Sequence, residues 1–266
     1  MGKPKHPDES WADYLHGLDP MPLWERRLFR LLPHDPRCKL CSAPFKGAGG
    51  MVMRQVGFGP SSKNPRFCNI CEVHIRKHRG GAEIPMSFMF ADVRGSTALA
   101  ERMSPSEFSR LLNRFYEVAN HLIIDRDAFV DKLVGDEVVA FFPPFLGNHA
   151  RVAIETAHRL LEATGHGAPV GPWIPVGIGL HTGRAYYGVV GTEDTVSDIT
   201  ALGDDVNVTS RLVGLAAAGE ILVSDAAATA SGLDLHAHEH RSLDLKGRIE
   251  PIGVHVLRSA AAVSVG

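Results

Sequence analysis

Apolar and polar positions change rhythm several times along this chain, and each change marks an expected boundary. Residues 1 to 20 are polar and turn-rich. In PLWERRLFRLL, from Pro22 to Leu32, Leu23, Trp24, Leu28, Leu31 and Leu32 recur near one helical face, which predicts a short amphipathic helix within an N-terminal segment 1–33. That helix packs either on the module that follows or on a second subunit. Residues 34–80 are rich in Gly, Pro and Lys, and HRGGA at 78 to 82 reads as a linker. From Ile84 onward, strand-like and helix-like stretches alternate.

The first of these stretches, MSFMFADVRGST, is an apolar run that ends at Asp92. Ser104-Pro105-Ser106-Glu107 has the form of a capping box with proline in the first turn, and opens a helix with Phe108, Leu111, Leu112, Phe115, Val118, Ala119 and Leu122 inward. A hairpin over about 128 to 142 carries Asp136 at its tip, in Gly135-Asp136-Glu137. A helix over about 147 to 165 ends in GHGAPVGP. The strands PVGIGLHTG and RAYYGVVG follow, with the glycines from Gly179 to Gly191 read as hairpin turns. Then come a short strand ITALG, a helix from Asp204 to about Ala217, and a tail at 259–266. Hairpins mixed with crossover helices predict an α+β fold, a mixed sheet covered by helices.

Composition narrows the function classes. With 44% hydrophobic residues, the 266-residue chain can bury a substantial core beside a smaller module. A formal charge of -2 provides no bulk attraction for nucleic acid or anionic membrane, and the one basic cluster, Arg76, Lys77, His78 and Arg79, reads as a solvated helix end or linker. No aromatic and basic stripe for nucleic acid is present. Neither a membrane-spanning run nor a signal-peptide core is seen, so the expectation is a soluble, cytoplasmic protein with no membrane partner.

Two groups of residues carry candidate chemistry. Asp92 and Asp136 each follow a strand-like run, where carboxylates are rigidly supported and near solvent, as Mg²⁺ requires of its oxygen ligands; a turn residue or helix cap explains either one taken singly. The glycine turn after Asp92 offers N–H groups and hydroxyls beside such a site. All four cysteines fall in two C-x-x-C pairs, Cys38/Cys41 and Cys68/Cys71. In a reducing compartment this usage favours a structural Zn²⁺ held by four thiolates, with an iron–sulfur cluster or a redox dithiol as the alternatives. His74 and His78 read as solvent-facing beside Cys71, and His236, His238 and His240 as one face of an exposed edge strand.

FADVRGST, KLVGDEVVAFF, GIGLHTGRAYYGVVG and DITALGDDVNVTSRL, in this order, resemble the catalytic domain of class III nucleotidyl cyclases over residues 84–258. The resemblance implies a ferredoxin-like mixed β-sheet covered by helices; the two C-x-x-C pairs ahead of it read as a small zinc-ribbon-like module at 34–80. It also implies that Asp92 and Asp136, with the Val93 carbonyl, hold two Mg²⁺ or Mn²⁺ ions, and that Lys132 and Asp198 select the purine. Asn207 would position the ribose, Arg211 the reacting phosphate, and Lys246 the triphosphate. The donor-only Lys132 and acceptor-only Asp198 suit adenine N1 and its amine and oppose guanine, so the expected reaction is ATP to 3′,5′-cyclic AMP and pyrophosphate. A guanylate cyclase, or a nucleotide-binding interaction protein without turnover, is the rival. The family's composite site implies a homodimer with the active sites at the subunit interface.

Overall fold

The computed structural model describes residues 7–16, 23–33, 36–38, 40–61, 67–77, 80–191 and 198–259. These residues group into two compact units. One takes in Met1–Ile84, Pro143–Phe145 and Arg184–Gly203; the other takes in Pro85–Phe142, Leu146–Gly183 and Asp204–Gly266.

The larger unit holds most of a sheet in the strand order β2-β3-β1-β4-β6-β8-β7, of which 81–84 and 184–190 are counted with the other unit. The strands of this sheet are β1 (Gly81–Val93), β2 (Phe129–Val134), β3 (Glu137–Phe142), β4 (Val176–Val190), β6 (Glu220–Ser224), β7 (Glu239–Leu243) and β8 (Ile252–Arg258). β1 runs antiparallel to β3, β4 parallel to β6, and β8 antiparallel to both β6 and β7. The expected mixed sheet with covering helices is therefore present.

Helices cover both faces of the sheet, so β6 is buried at every position. On one face Met89, Ala91, Ile221, Val223 and Leu257 share a core with α6 (Pro105–Ile124), α7 (His149–Ala163) and α9 (Asp225–Ser231). On the other, Leu222, Val254 and Val256 meet Val208, Leu212 and Ala216 from α8 (Asp204–Leu215) and the turn after it. The alternation of Ile221, Leu222 and Val223 between the two cores is the two-residue strand period.

The sequence features that open and close these elements act as expected in several places. Ser104 accepts from the Glu107 N–H while the Glu107 carboxylate accepts from the Ser104 N–H, a complete capping box for α6. Phe115, Ala119 and Ile123 form its buried stripe. Beyond the glycine turn that includes Ser96 and Thr97, the chain forms a further short helix that the sequence pattern did not predict, α5 (Ser96–Arg102).

The segment from 176 to 190 differs from expectation. It is one continuous strand, β4, in place of two strands joined by turns. Its glycines serve close approach: a side chain at Gly179 would strike the α8 backbone at Thr209 and Val213, and one at Gly183 would collide with the Asp205 carboxylate. Glycine inside a strand and glycine at a turn look alike in a single sequence.

In the smaller unit, the expected amphipathic helix is α2 (Leu23–Leu31), and the turn-rich N-terminal stretch contains α1 (Pro7–Leu15). Trp11 and Leu15 of α1 are buried, with the Trp11 ring edge-on to Tyr187 at 6.2 Å. That pair is a tertiary contact without a local signal. The module around the cysteines carries α3 (Gly47–Gln55) and α4 (Asn69–Lys77) and two isolated bridges, Arg37↔Pro44 and Pro60↔Cys68. Of the expected linker, Gly81 and Ala82 already belong to β1, whereas His78 and Arg79 lie outside the described residues. The strand β5 (Asp198–Leu202) pairs antiparallel with the distal half of β4.

Candidate functional site

Asp92 and Asp136 come together through backbone pairing. Asp92 stands opposite Glu137 in the β1/β3 register, and the Val93 N–H donates to the Asp136 carbonyl at 3.3 Å. Gly135 has φ 63°, which permits the tight β2–β3 turn that presents Asp136. The Tyr116 hydroxyl of α6 donates to the Gly135 carbonyl and fixes that turn from outside the sheet. Both aspartates are half-buried.

The surroundings of the pair are charged. Arg94 is ion-paired with the Asp92 carboxylate. Burial lowers the Arg94 pKa, against the opposing pull of Asp136 and Glu137. Burial pushes the Glu137 carboxyl up, and the Asp136 charge adds to that push. Two hard carboxylates at the end of neighbouring strands are a donor set that fits Mg²⁺ or Mn²⁺. A cation there would compete with the Arg94 guanidinium for Asp92.

Lys132 lies on β2, where the register with β3 shifts between Val130 and Lys132. The shift makes Asp131 the extra residue of a bulge, a device that re-aims neighbouring side chains. Asp131 is buried, and its carboxylate lies 3.5 Å from the Lys132 ammonium, which remains 41% exposed. Asp198 is in the other compact unit, at the first position of β5, where its Oδ1 accepts the N–H of Ile199 at 2.9 Å.

Asn207 and Arg211 stand one turn apart on α8, opposite the face that buries Val208, Leu212 and Val213. Asn207 is exposed and Arg211 half-buried. Arg211 reaches toward the turn between β7 and β8: its Nη2 is 3.8 Å from where a Gly247 side chain would begin. Its Nη1 is buried and has no hydrogen-bond partner among the described residues. A guanidinium donor in that condition is suited to an anionic oxygen from outside. The exposed Lys246 belongs to the same turn, so Asn207, Arg211 and Lys246 form a second group. The helix of the first two, α8, packs over β4, β6 and β8, whereas Asp92 ends β1 and Asp136 sits in the β2–β3 turn.

Residues 82–259 match the family model described as the adenylate and guanylate cyclase catalytic domain. The chain belongs to this family.

Among curated relatives, this cyclase-family chain is 36% identical over 141 residues to an adenylate cyclase of Anabaena cylindrica, covering 49% of this chain and 27% of that protein. It is 30% identical over 168 residues to an adenylate cyclase of Mycobacterium tuberculosis, covering 61% and 37%. The chain thus spans well under half the length of these relatives. Among solved structures, the adenylyl cyclase CyaB from P. aeruginosa superposes with a TM-score of 0.58 at 25% identity, covering 67% of this chain and 96% of that one. The guanylyl cyclase Cya2 shares the fold with a TM-score of 0.60 at 23% identity, covering 70% and 98%.

The cyclase domain also contains a positioning network that the motif reading missed. His181 of β4 shares a hydrogen bond with the Ser224 hydroxyl through Nδ1 at 2.8 Å and with the Asp205 carboxylate through Nε2 at 3.0 Å. It anchors the first turn of α8, the helix that carries Asn207 and Arg211. Arg248 pairs with Asp204 in the same turn. The GLHTG motif was the available signal, but its glycines suggested turns.

Outside the cyclase domain, Cys38, Cys41, Cys68 and Cys71 are all buried with their sulfurs within 4.8 Å of one another. The Cys41 and Cys68 sulfurs are 3.7 Å apart. Four thiolates about 2.3 Å from one tetrahedral Zn²⁺ lie about 3.8 Å from each other, so the cluster has the dimensions of a zinc site. Backbone N–H groups of Cys68 and Cys71 point at Cys38 and Cys68 sulfurs at 3.2 and 3.3 Å, as thiolate charge favours. Arg37 ties the knuckle to α2 by donating to the carbonyls of Phe29, Leu32 and Ser42. Of the two histidines near Cys71, His74 is half-buried and His78 lies outside the described residues. Among those residues, no helix is long and apolar enough to cross a membrane.

Proposed function

We propose that this member of the cyclase family is an adenylate cyclase, converting ATP to 3′,5′-cyclic AMP and pyrophosphate. The observation that carries the reading is in the sequence: a donor-only Lys132 and an acceptor-only Asp198 at the two positions that match the family's purine-selecting residues. The ammonium donates to adenine N1 and the carboxylate accepts from the exocyclic amine. With GTP both contacts are reversed, at a cost of roughly 1 to 3 kcal/mol for each polar group left unpaired.

Asp92 and Asp136, with the Val93 carbonyl, would hold two Mg²⁺ or Mn²⁺ ions, which when bound supply triphosphate neutralisation and a more acidic ribose hydroxyl. Asn207 holds the ribose so that the 3′ oxygen starts aligned with the α-phosphorus. The bond from that oxygen to phosphorus forms as the bond to pyrophosphate breaks. Arg211 donates to the oxygens on which charge accumulates, and Lys246 steadies the departing phosphates. The partnerless Arg211 Nη1 supports its assignment to an anion.

The site is composite. Carboxylates at β1 and the β2–β3 turn, with Asn207 and Arg211 toward β6 and β8, favour a head-to-tail homodimer in which each active site takes its metal half from one protomer and its nucleotide half from the other. The cysteine cluster is a structural zinc site of the N-terminal module. The protein works in the cytoplasm, without nucleic acid or membrane partners.

Incubating purified protein with Mg²⁺ or Mn²⁺ and either nucleotide tests the reading. Cyclic AMP formed from ATP in excess of cyclic GMP from GTP is the expected result. Equal or greater turnover of GTP would overturn the purine assignment.

A further inference from the structure

β7 is an edge strand, and its antiparallel pairing with β8 places His240 directly opposite His255. Directly opposed residues project from the same face of a sheet, and here the two imidazole centroids are 4.9 Å apart. Asp225, the first residue of α9, reaches between them. Its Oδ1 is 2.9 Å from the His240 Nε2 and 3.6 Å from the His255 Nε2. One ligand atom from each of the three residues lies within 4.8 Å of the others.

We propose that Asp225, His240 and His255 bind a borderline divalent cation of the Zn²⁺, Co²⁺ and Ni²⁺ class, at a site separate from both the paired aspartates and the cysteine cluster. Two imidazole nitrogens and one carboxylate are the ligand set such ions select, whereas Mg²⁺ prefers oxygen alone. An ordinary ion pair accounts for His240 and Asp225 but leaves His255 unexplained. The His255 Nε2 is directed at the same oxygen from beyond hydrogen-bond distance. Its Nδ1 is buried and has no hydrogen-bond partner among the described residues, and Nε2 is the nitrogen that faces Asp225 and His240.

Two further features fit a cation. Gly253 lies two residues before His255 on the same strand face, and a side chain there would collide with the Asp225 carboxylate and come within 3.0 Å of the His240 Nε2. Glycine at this position leaves the space between the three ligands clear. Exposure is graded: the His255 side chain is 14% exposed, His240 49% and Asp225 54%. Water therefore reaches the outer side, where it completes the coordination that three protein ligands leave open. Because the ligands come from β7, β8 and α9, a bound ion would cross-link the sheet edge to its covering helix.

The test uses the tag-free full chain, loaded with zinc at the cysteines, freed of excess metal and saturated with Mg²⁺, then titrated with Co²⁺ by calorimetry and visible absorption. The expected result is one further equivalent of Co²⁺ per chain, with a rise in thermal midpoint. Replacing the half-exposed His240 by Gln should weaken that binding roughly tenfold or more and remove the rise. His255→Gln should do the same, and circular dichroism checks that each variant is folded. No additional equivalent in the wild-type chain, or an unchanged one in folded His240→Gln, would overturn the proposal.

Discussion

The Val93 N–H and the Asp136 carbonyl meet at 3.3 Å, and this one hydrogen bond sets the end of β1 against the β2–β3 turn. It brings together the backbone of two half-buried aspartates, Asp92 at the end of β1 and Asp136 in the turn, so that backbone pairing determines where they stand. Replacing either side chain should therefore leave the fold intact. Asp92→Ala and Asp136→Ala are each expected to lower cyclase turnover by at least about a hundredfold. Thermal midpoints should remain close to wild type. A variant that loses activity only in proportion to lost folded protein would show a structural role instead.

Purine choice is expected to respond to Asp198 more than to its strand. The Asp198 Oδ1 accepts the Ile199 N–H, an interaction that an asparagine carbonyl can reproduce. What Asp198→Asn changes is the charge and the acceptor-only character offered to the exocyclic amine. We expect kcat/KM for ATP to fall about tenfold and the ATP to GTP ratio to narrow, a loss of about 1 to 2 kcal/mol. Steady-state kinetics with both nucleotides checks this, and a fall with an unchanged ratio would separate Asp198 from base selection.

The elements that the sequence made legible are those with strong local signals. The α6 capping box, the turn at Gly135 and the i, i+4 spacing of Asn207 and Arg211 each depend on residues a few positions apart. The proximity of Asp92 and Asp136 was foreseeable from their matching placement at strand ends. Gly179 and Gly183 were misread because their neighbours, Val213 and Asp205, arrive from a distant helix. α1 was missed for a related reason: Trp11 acquires its apolar surroundings from Tyr187. His255 was invisible as a companion of His240 until β7 and β8 were paired in register.

Stability should decline as pH falls from neutrality, through histidines held neutral. The His166 Nε2 accepts the Val176 N–H at 3.0 Å, and burial holds its pKa below the usual 6.5. Burial likewise lowers His149 and His181. Because the unfolded chain binds these protons at higher pH, their contribution is complete above 6.5 and is lost as pH falls through the folded values. Urea midpoints measured from about pH 8 to about pH 5 should fall, and His166→Gln, which retains an acceptor without titrating, should flatten the slope. An unchanged slope in that variant would assign the effect to the other histidines.

Glu220 should govern a second, more acidic transition. Its buried carboxylate accepts from Arg241 at 2.8 and 3.0 Å, from Arg258 at 2.5 Å and from the Ala217 N–H at 3.1 Å, linking β6, β7 and β8. The Arg241 hydrogen bonds, opposed by burial, bring its pKa down from 4.5 to about 2. A depressed carboxylate stabilises the fold above its unfolded pKa, and that stability disappears as pH falls from 4.5 toward 2. Glu220→Gln is expected to cost about 1 to 3 kcal/mol at neutral pH and to remove this part of the acid dependence. Chemical denaturation of the two proteins across the same acid range measures both effects.

Removing metal should act on the N-terminal module before the cyclase domain. The four cysteine sulfurs converge in a segment whose secondary structure, among the described residues, amounts to two short helices and two isolated bridges. A module with so little regular structure depends on thiolate coordination for much of its folding free energy. Zinc content of one ion per chain is expected, lost on treatment with a strong chelator or in Cys38→Ser. Loss should be followed by rapid proteolysis within residues 36–77, whereas the larger unit, with its own two-sided core, resists. Iron with sulfide in the purified protein would identify a cluster instead, and full retention of protease resistance after metal loss would show that the cysteines do not hold the module together. Arg37→Ala provides a metal-independent comparison: it frees the carbonyls of Phe29, Leu32 and Ser42 while leaving all four thiolates in place, so zinc content should persist as the attachment of α2 weakens.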